Sequence, residues 1–155
     1  MMTKLEFFIN LTADTDRMMK LAVDYEKYSS YLPDQIKSVK IIEKNNNQTI
    51  TEETLSFSTI FKNTIIQKSI HRKISDNQLE AKIISGPAQG TIIHVKYNKN
   101  GTGTKIAINI DLKLSLKVKI LLPLIKKWYQ RVLTSVLYKM NGIALESKAN
   151  NGVDE

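Results

Sequence analysis

The sequence predicts an α+β fold in which a long C-terminal helix lies across a curved, seven-stranded antiparallel sheet. Residues 34–114 show strand-like alternation interrupted by short turns, and the stretch from about Ile120 to Ser147 has the period of an amphipathic helix. Neither the sheet nor the helix can bury its apolar face alone, so we expect the helix to cover the sheet. This arrangement encloses a space between them.

The N-terminal part predicts one strand followed by two short helices. Thr3–Asn10 alternates between apolar and polar residues, which indicates a strand. Thr12 or Asp14 can cap the first short helix, and Asp24–Ser30 forms the second. The two short helices therefore separate the first strand from the rest of the sheet.

Six further strands follow, separated by turn signals rich in asparagine, glycine and proline. The last two of them flank the turn at Asn98–Gly101. The four before these are predicted at Ile36–Lys44, Gln48–Ser58, Phe61–Ile74 and Gln78–Ser85. Short hairpin loops make consecutive strands antiparallel, and with the first strand the meander is long enough to curl.

The last strand shows that one face of the sheet is covered. Its alternating apolar residues point one way and comprise Ile106, Ile108, Ile110, Leu112 and Leu114. The residues between them are mostly charged or polar. One face of the sheet is therefore core, and the other is solvated.

The strand that ends at Ile74 has no equally clear face. One of its sides carries Phe61, Asn63, Ile65, Gln67, Ser69 and His71. The other side carries Ile60, Thr64, Ile66, Ile70 and Ile74. If the first side faces inward, the interior holds several polar groups that need partners or water. The alternation leaves both orientations open.

The C-terminal helix is predicted from the spacing of its apolar residues. At about 3.6 residues per turn, one arc of roughly 100° holds Leu121, Ile125, Trp128, Tyr129, Val132, Val136, Met140 and Ile143. Pro123 lies in the first turn, where its missing N–H costs nothing. We expect one domain over residues 1–147 and a disordered tail over residues 148–155.

The composition indicates a single soluble domain in the cytoplasm. The chain has 155 residues, 42% of them hydrophobic, and contains no cysteine. Met1–Asn10 alternates like a strand and includes Glu6, so it resembles neither a signal peptide nor a membrane span. The oligomeric state is left open.

The formal net charge of +8 permits two interpretations. The lysines are spread over almost every predicted element and are interleaved with acidic residues, which favours a role in solubility and argues against a nucleic-acid partner. The densest basic stretch surrounds several leucines near the start of the long helix, as in segments that contact an anionic membrane surface. It contains Lys113, Lys117, Lys119, Lys126, Lys127 and Arg131.

The inventory of reactive residues predicts no metal site, no cofactor and no catalytic centre. There are two histidines and no cysteine, and no nucleophile elbow or phosphate-binding loop occurs. His94 alternates with apolar neighbours, so we expect it to be solvated. Glu53 shares its row with Leu55 and Phe57, and it could act as an acid or base if buried. One carboxylate without a partner is weak evidence for catalysis.

Several motifs resemble those of one known superfamily. Val23–Pro33 with the following strand Ile36–Glu43, the Ser85–Pro87 turn and the Gly101–Ile106 hairpin are similar to passages of the START-like, or polyketide cyclase-like, superfamily, also called SRPBCC. Its members have a helix-grip fold with the element order predicted above. The chain looks nearest to the coenzyme Q-binding START-domain branch, although Gly90–Val95 is aliphatic where that family often has aromatic residues.

The resemblance implies a hydrophobic small-molecule ligand between the long helix and the sheet. The chain would then act as a carrier or chaperone for a lipid, an isoprenoid quinone or a polyketide-like molecule. The residues implied are Trp128, Val132, Val136 and Met140 as a lid, Phe57, Phe61 and Tyr97 as a floor, and Tyr28 and Tyr31 near the entrance. The aromatic residues could equally be close-packed core.

Two alternative functions remain open from the sequence. One is a cyclase or dehydratase that uses the same cavity with Glu53 or His71 as acid or base. The other is a peripheral membrane module that docks through the basic stretch between Lys117 and Arg131.

Overall fold

A computed structural model describes residues 2–57, 60, 62 and 64–154, with side chains described as far as Ser147. Strand β1 (Met2–Leu11) is followed by helix α1 (Thr15–Ala22), a 3₁₀ turn (Tyr25–Lys27) and the short helix α2 (Tyr28–Tyr31). The sheet continues with β2 (Ile36–Lys44), β3 (Thr49–Leu55), β4 (Ile65–Ser75), β5 (Gln78–Ile83), β6 (Ile92–Asn100) and β7 (Gly103–Lys113). A second 3₁₀ turn (Lys119–Leu121) leads into helix α3 (Leu122–Asp154).

The predicted α+β architecture, with its seven-stranded antiparallel sheet, is confirmed. The strand order is β1-β7-β6-β5-β4-β3-β2, so β2 to β7 form a meander and β1 closes it beside β7. The pairing of β1 with β7 runs from Met2 opposite Lys113 to Leu11 opposite Thr104. The two short helices therefore carry the chain from one edge of the sheet to the other.

Several predicted boundaries need correction. Strand β3 ends at Leu55 rather than Ser58, and β4 begins at Ile65. The second short helix is a 3₁₀ turn followed by a single α-helical turn. Helix α3 extends beyond Ser147, its predicted end, as far as Asp154. The domain boundary at residue 147 and the disordered tail stay predictions.

The core lies between α3 and the inward face of the sheet, and the inward row of β7 is among its most buried parts. The side chains of Ile106, Ile108, Ile110 and Leu112 are at most 1% exposed, as their alternation predicted. Val136 and Met140 of α3 are 3% and 1% exposed. On the last described turns, Ala144 is buried while Ile143, which we expected to be buried, is 39% exposed.

The orientation of β4, left open by its sequence, is decided in the structure. Gln67 and Ser69 are buried, whereas Ile66 and Ile74 are 60% and 48% exposed. The polar side of β4 therefore faces α3, and its isoleucine side faces outward.

A buried polar cluster ties α1, β7 and α3 together at one end of the sheet. The Thr104 hydroxyl donates to the Ala13 carbonyl at 2.8 Å and accepts from the Thr15 hydroxyl at 3.2 Å. The Ala13 N–H donates to Asn141 Oδ1 at 2.8 Å. These bonds fix the start of α1 against both the sheet and the long helix.

Among the described residues, no helix is long and apolar enough to cross a bilayer.

We expect Gly103→Ala to destabilise the protein by about 1–3 kcal/mol, because overpacking forces backbone shifts. A Cβ atom at Gly103 would lie 2.3 Å from the Leu11 carbonyl oxygen, inside the β1–β7 junction. The matched control is Gly142→Ala on α3, where the added atom would meet no described residue outside its own turn of helix within 4 Å. Alanine is the better helix former, so Gly142→Ala should raise the free energy of unfolding by about 0.5–1 kcal/mol. Urea unfolding measures both changes, and a Gly103→Ala midpoint at the wild-type value would contradict the expectation.

Candidate functional site

A cavity of about 170 Å³ lies between the inward face of the sheet and α3. Its apolar wall includes Leu55, Ile83, Ile93, Val95 and Tyr97 from the strands, with Trp128, Val132 and Leu133 from the helix. Tyr25 and Tyr28, from the segment between α1 and β2, also line it. The cavity therefore has the composition of a small-molecule site, which is mostly apolar and aromatic with a few polar groups.

The polar wall of the cavity comes from two neighbouring strands. In the pairing of β3 with β4, Glu53 lies opposite Gln67 and Thr51 lies opposite Ser69. Glu53, Gln67, Ser69 and His71 all line the cavity. Because residues two apart on a strand point to the same face, this register places their side chains in two adjacent inward rows.

Glu53 and Tyr129 each present a buried polar atom without a partner. Among the described residues, the buried side-chain atoms that lack a hydrogen bond are Glu53 Oε2, Tyr129 Oη and Tyr31 Oη. The first two belong to residues that line the cavity. An unpaired buried polar atom is costly, so each of these two atoms needs a hydrogen-bonding partner from outside the chain, which a water molecule or a ligand in the cavity can supply.

Burial shifts the acid–base properties of this wall. Desolvation raises the pKa of Glu53 from 4.5 to about 7, so its carboxyl group is partly protonated at neutral pH. Burial, and secondarily the nearby Glu53 charge, raises the pKa of Tyr129 above its ordinary value, which keeps the phenol protonated. Both groups can therefore donate a hydrogen bond at neutral pH.

His71 is held neutral beside them. Burial lowers the pKa of His71 from 6.5 to about 4. Its Nε2 atom lies 2.7 Å from the Thr51 hydroxyl, and its ring stacks on Tyr25 with 4.1 Å between centroids. The imidazole is thus oriented from two sides while it borders the cavity.

Four of the predicted ligand-binding residues line the cavity, namely Tyr28, Tyr97, Trp128 and Val132. The Tyr28 hydroxyl donates to the Ala22 carbonyl, which fixes this ring at the wall. The Trp128 ring is held by a hydrogen bond from Nε1 to the Ser56 carbonyl at 3.2 Å.

The other predicted ligand-binding residues have different positions. Val136, Met140 and Tyr31 are buried, but they are not among the residues that border the cavity. Phe57 stacks on the Trp128 ring at 4.0 Å between centroids. Phe61 lies outside the described residues. Roles for these five in ligand binding stay predictions.

Tyr25 and Gln67 also line the cavity, although the sequence did not identify them as ligand-site residues, and Tyr129 lines it as one of the aromatic residues expected either there or in the core. The polar row of β4 was the available signal for Gln67, but its orientation was undetermined. His94, on the opposite face of β6 from Ile93 and Val95, forms a hydrogen bond with Glu80, with 2.8 Å between Nε2 and Oε2, rather than being simply solvated. Among the described residues, no cluster of three or more metal-ligating side chains occurs.

We predict that Glu53→Gln stabilises the protein at alkaline pH and not at acidic pH. Because the folded pKa is about 7 and the ordinary value is 4.5, the unfolded chain ionises first as the pH rises. The wild-type carboxyl group therefore costs nothing below about pH 4.5, and its cost reaches about 1–3 kcal/mol above pH 7. Denaturant unfolding near pH 4 and pH 8 measures this difference.

The control for this prediction is Glu52→Gln, on the outward face of the same strand. Relative to wild type, Glu53→Gln should have a higher free energy of unfolding at the alkaline pH and the same value at the acidic pH. Glu52→Gln should show no such difference between the two pH values. An equal pH dependence in wild type and Glu53→Gln would show that the Glu53 carboxyl group is solvated.

Solved structures with the same architecture are found, although no protein-family model and no curated protein matches the sequence. TTHA0849 from Thermus thermophilus superimposes with a TM-score of 0.79 at 16% identity, over 94% of this chain and 99% of that one. The Zhui aromatase/cyclase from Streptomyces sp. R1128 gives 0.79 at 11% identity, over 93% and 94%. A START superfamily protein from Mycobacterium smegmatis gives 0.74 at 16% identity, over 92% and 97%. The chain therefore has the START-like helix-grip fold.

Proposed function

We propose that the protein binds a small, largely apolar molecule with a hydrogen-bonding group in the cavity between α3 and the sheet, and acts as its carrier or chaperone. The observation that carries this proposal is the pair of buried, unpartnered atoms Glu53 Oε2 and Tyr129 Oη at the cavity wall. The fold supports it, because an aromatase/cyclase and a START superfamily protein have the same architecture.

The chemistry of the polar wall favours an uncharged ligand. His71 is neutral at pH 7 and Glu53 is only partly ionised, so these two groups together carry less than one full negative charge. A ligand hydroxyl group can donate to the Glu53 carboxylate, and a ligand carbonyl can accept from protonated Glu53 or from Tyr129. A phenol, an alcohol or a quinone carbonyl fits these partners.

The volume of the cavity sets the size of the part that binds there. An apolar cavity of about 150 Å³ is large enough to bind benzene. The 170 Å³ cavity therefore accepts one ring or a short branched chain. A longer isoprenoid, lipid or polyketide-like ligand would place only one end in it.

A second cleft offers room for the rest of such a ligand. It measures about 230 Å³ and is lined by residues that include Leu32, Ile60, Leu124 and Arg131. Trp128 and Val132 line both spaces, so the indole ring stands between them. A longer chain would reach the cleft from the cavity only if Trp128 moved, which would break the hydrogen bond from its Nε1 to the Ser56 carbonyl.

We predict that Ala81→Phe abolishes binding of 4-methylphenol and p-xylene, which serve as probes of single-ring size. Ala81 lines the cavity from β5, and a phenyl ring there fills much of its volume. The matched control is Ala107→Phe, which makes the same substitution on the opposite face of the sheet and should leave binding unchanged. Isothermal titration calorimetry measures both, and equal affinities for the two variants would contradict the proposed site.

We further predict that the polar wall selects for the hydroxyl group of 4-methylphenol. The double variant Glu53→Met with Tyr129→Phe removes both unpartnered atoms and should lower affinity for 4-methylphenol relative to p-xylene by about tenfold. The two probes have the same shape, so their ratio isolates the hydrogen bond. An unchanged ratio would show that the cavity binds by apolar contact alone.

Native mass spectrometry of the purified chain would identify a ligand retained from the cell.

Acid–base catalysis in the same cavity is the second candidate function. Glu53 and His71 both border the cavity, which is the condition that the cyclase or dehydratase alternative requires. If the protein is a dehydratase, the wild-type chain and Glu53→Gln should retain extractable ligands that differ by one water molecule. Identical ligand masses in the two chains would favour the carrier.

A further inference from the structure

Three large apolar side chains protrude from the segment that joins β7 to α3. Leu116 is 87% exposed, Ile120 is 86% exposed and Leu124, in the first turn of α3, is 47% exposed. They recur every four residues within a stretch of nine. Leu116 and Ile120 are the most exposed of the large apolar side chains among the described residues.

The segment is held in this orientation by its own buried contacts. Val118 is 8% exposed and Ile125 is 3% exposed, so these two side chains anchor it to the core. The Ser115 N–H donates to the Pro87 carbonyl at 2.9 Å, and the Leu121 N–H donates to the Val118 carbonyl at 2.9 Å. The protruding leucine and isoleucine are therefore presented by an anchored turn.

The charge of the protein is concentrated in the same region. Residues 112–145 contain seven lysine and arginine residues and no aspartate or glutamate. The rest of the chain holds the other 16 basic residues and all 15 acidic ones, a net charge of +1 out of the total of +8. The interpretation of the charge as a diffuse excess therefore needs correction.

The lysines around the protruding side chains are available to bind an anion. Lys113, Lys117, Lys119 and Lys127 are exposed. Among the described residues, the ion pairs involve Arg17, Lys27 and His94, and none involves these four lysines.

We propose that this segment, residues 113–127, docks the protein on the surface of an anionic lipid bilayer. Leu116, Ile120 and Leu124 would enter the boundary between headgroups and acyl chains, and the lysines around them would contact the anionic headgroups. Charge complementarity identifies the occupant as anionic, and the apolar side chains at the centre of the basic patch favour a lipid surface over a freely soluble polyanion.

The docking segment adjoins the second cleft. Leu124 and Lys127 belong both to the segment and to the lining of the cleft beside Trp128. A bilayer bound at residues 113–127 would therefore lie next to the cleft through which a lipid-like ligand could pass. The docking proposal itself does not depend on the identity of a ligand.

Sedimentation with vesicles tests the docking segment. We expect the wild-type chain to bind phosphatidylcholine vesicles that contain about one third phosphatidylserine, and to bind pure phosphatidylcholine vesicles much less. Leu116→Ser with Ile120→Ser should lower the partition coefficient for the anionic vesicles about tenfold or more. Lys117→Glu with Lys119→Glu should lower it by at least as much.

Matched controls separate the segment from general charge and hydrophobicity. Ile66→Ser removes an apolar side chain that is 60% exposed on the outward face of β4, and this variant should bind within about twofold of wild type. Lys73→Glu with Lys99→Glu changes the net charge as much as the segment variant does, at the opposite end of the sheet. This charge control should lose clearly less affinity than Lys117→Glu with Lys119→Glu. Circular dichroism verifies that each variant is folded.

Three outcomes would overturn the proposal. The first is a wild-type chain that does not bind the anionic vesicles. The second is that Leu116→Ser with Ile120→Ser binds the anionic vesicles as tightly as wild type, whereas Lys117→Glu with Lys119→Glu binds them less tightly. That result would indicate a site for a soluble polyanion such as a nucleic acid. The third is an equal loss in the control and segment variants.

Discussion

The inward orientation of the polar side of β4 is the constraint on which the site depends. Along β7 the inward row is apolar, and its isoleucines are at most 1% exposed in one core cluster with Val136 and Met140 of α3. Along β3 and β4 the inward rows contain Glu53, Gln67 and Ser69 instead, and the cavity lies at these side chains. The helix therefore closes tightly on one part of the sheet and leaves a space over another.

Burial reverses the usual order of pKa values at this wall, because the pKa of the carboxyl group of Glu53 lies above that of the His71 imidazole. The pKa of Glu53 rises to about 7 while that of His71 falls to about 4, in both cases because burial disfavours the charged form. At neutral pH the wall is therefore rich in hydrogen-bonding groups and poor in charge. These properties suit an uncharged ligand with a polar end, and they also leave a carboxyl group able to exchange a proton with it.

The sequence predicted the order of the helices and strands and some of the residues that line the cavity, but it did not predict the polar wall of the cavity. Strict alternation in β7 and the helical arc of α3 predicted both elements and their buried faces, because each pattern has one apolar side. In β4 both sides contain apolar residues, and alternation alone does not say which side faces the helix. The arc of α3 likewise places Val136 and Met140 toward the sheet, but whether space remains beside them depends on the opposing strands. Tyr129 was predicted on the buried face, yet its unpartnered hydroxyl depends on what surrounds it.

Trp128 stands between the cavity with its polar wall and the second cleft, and the docking segment of residues 113–127 adjoins that cleft. We propose that the space beside Glu53 and Tyr129 holds the polar end of a ligand. A crystal structure of the protein soaked with 4-methylphenol tests this claim most directly. We expect the phenol oxygen within about 3.2 Å of the Glu53 carboxyl group or the Tyr129 hydroxyl. A cavity closed by side chains, or a probe bound only elsewhere, would contradict it.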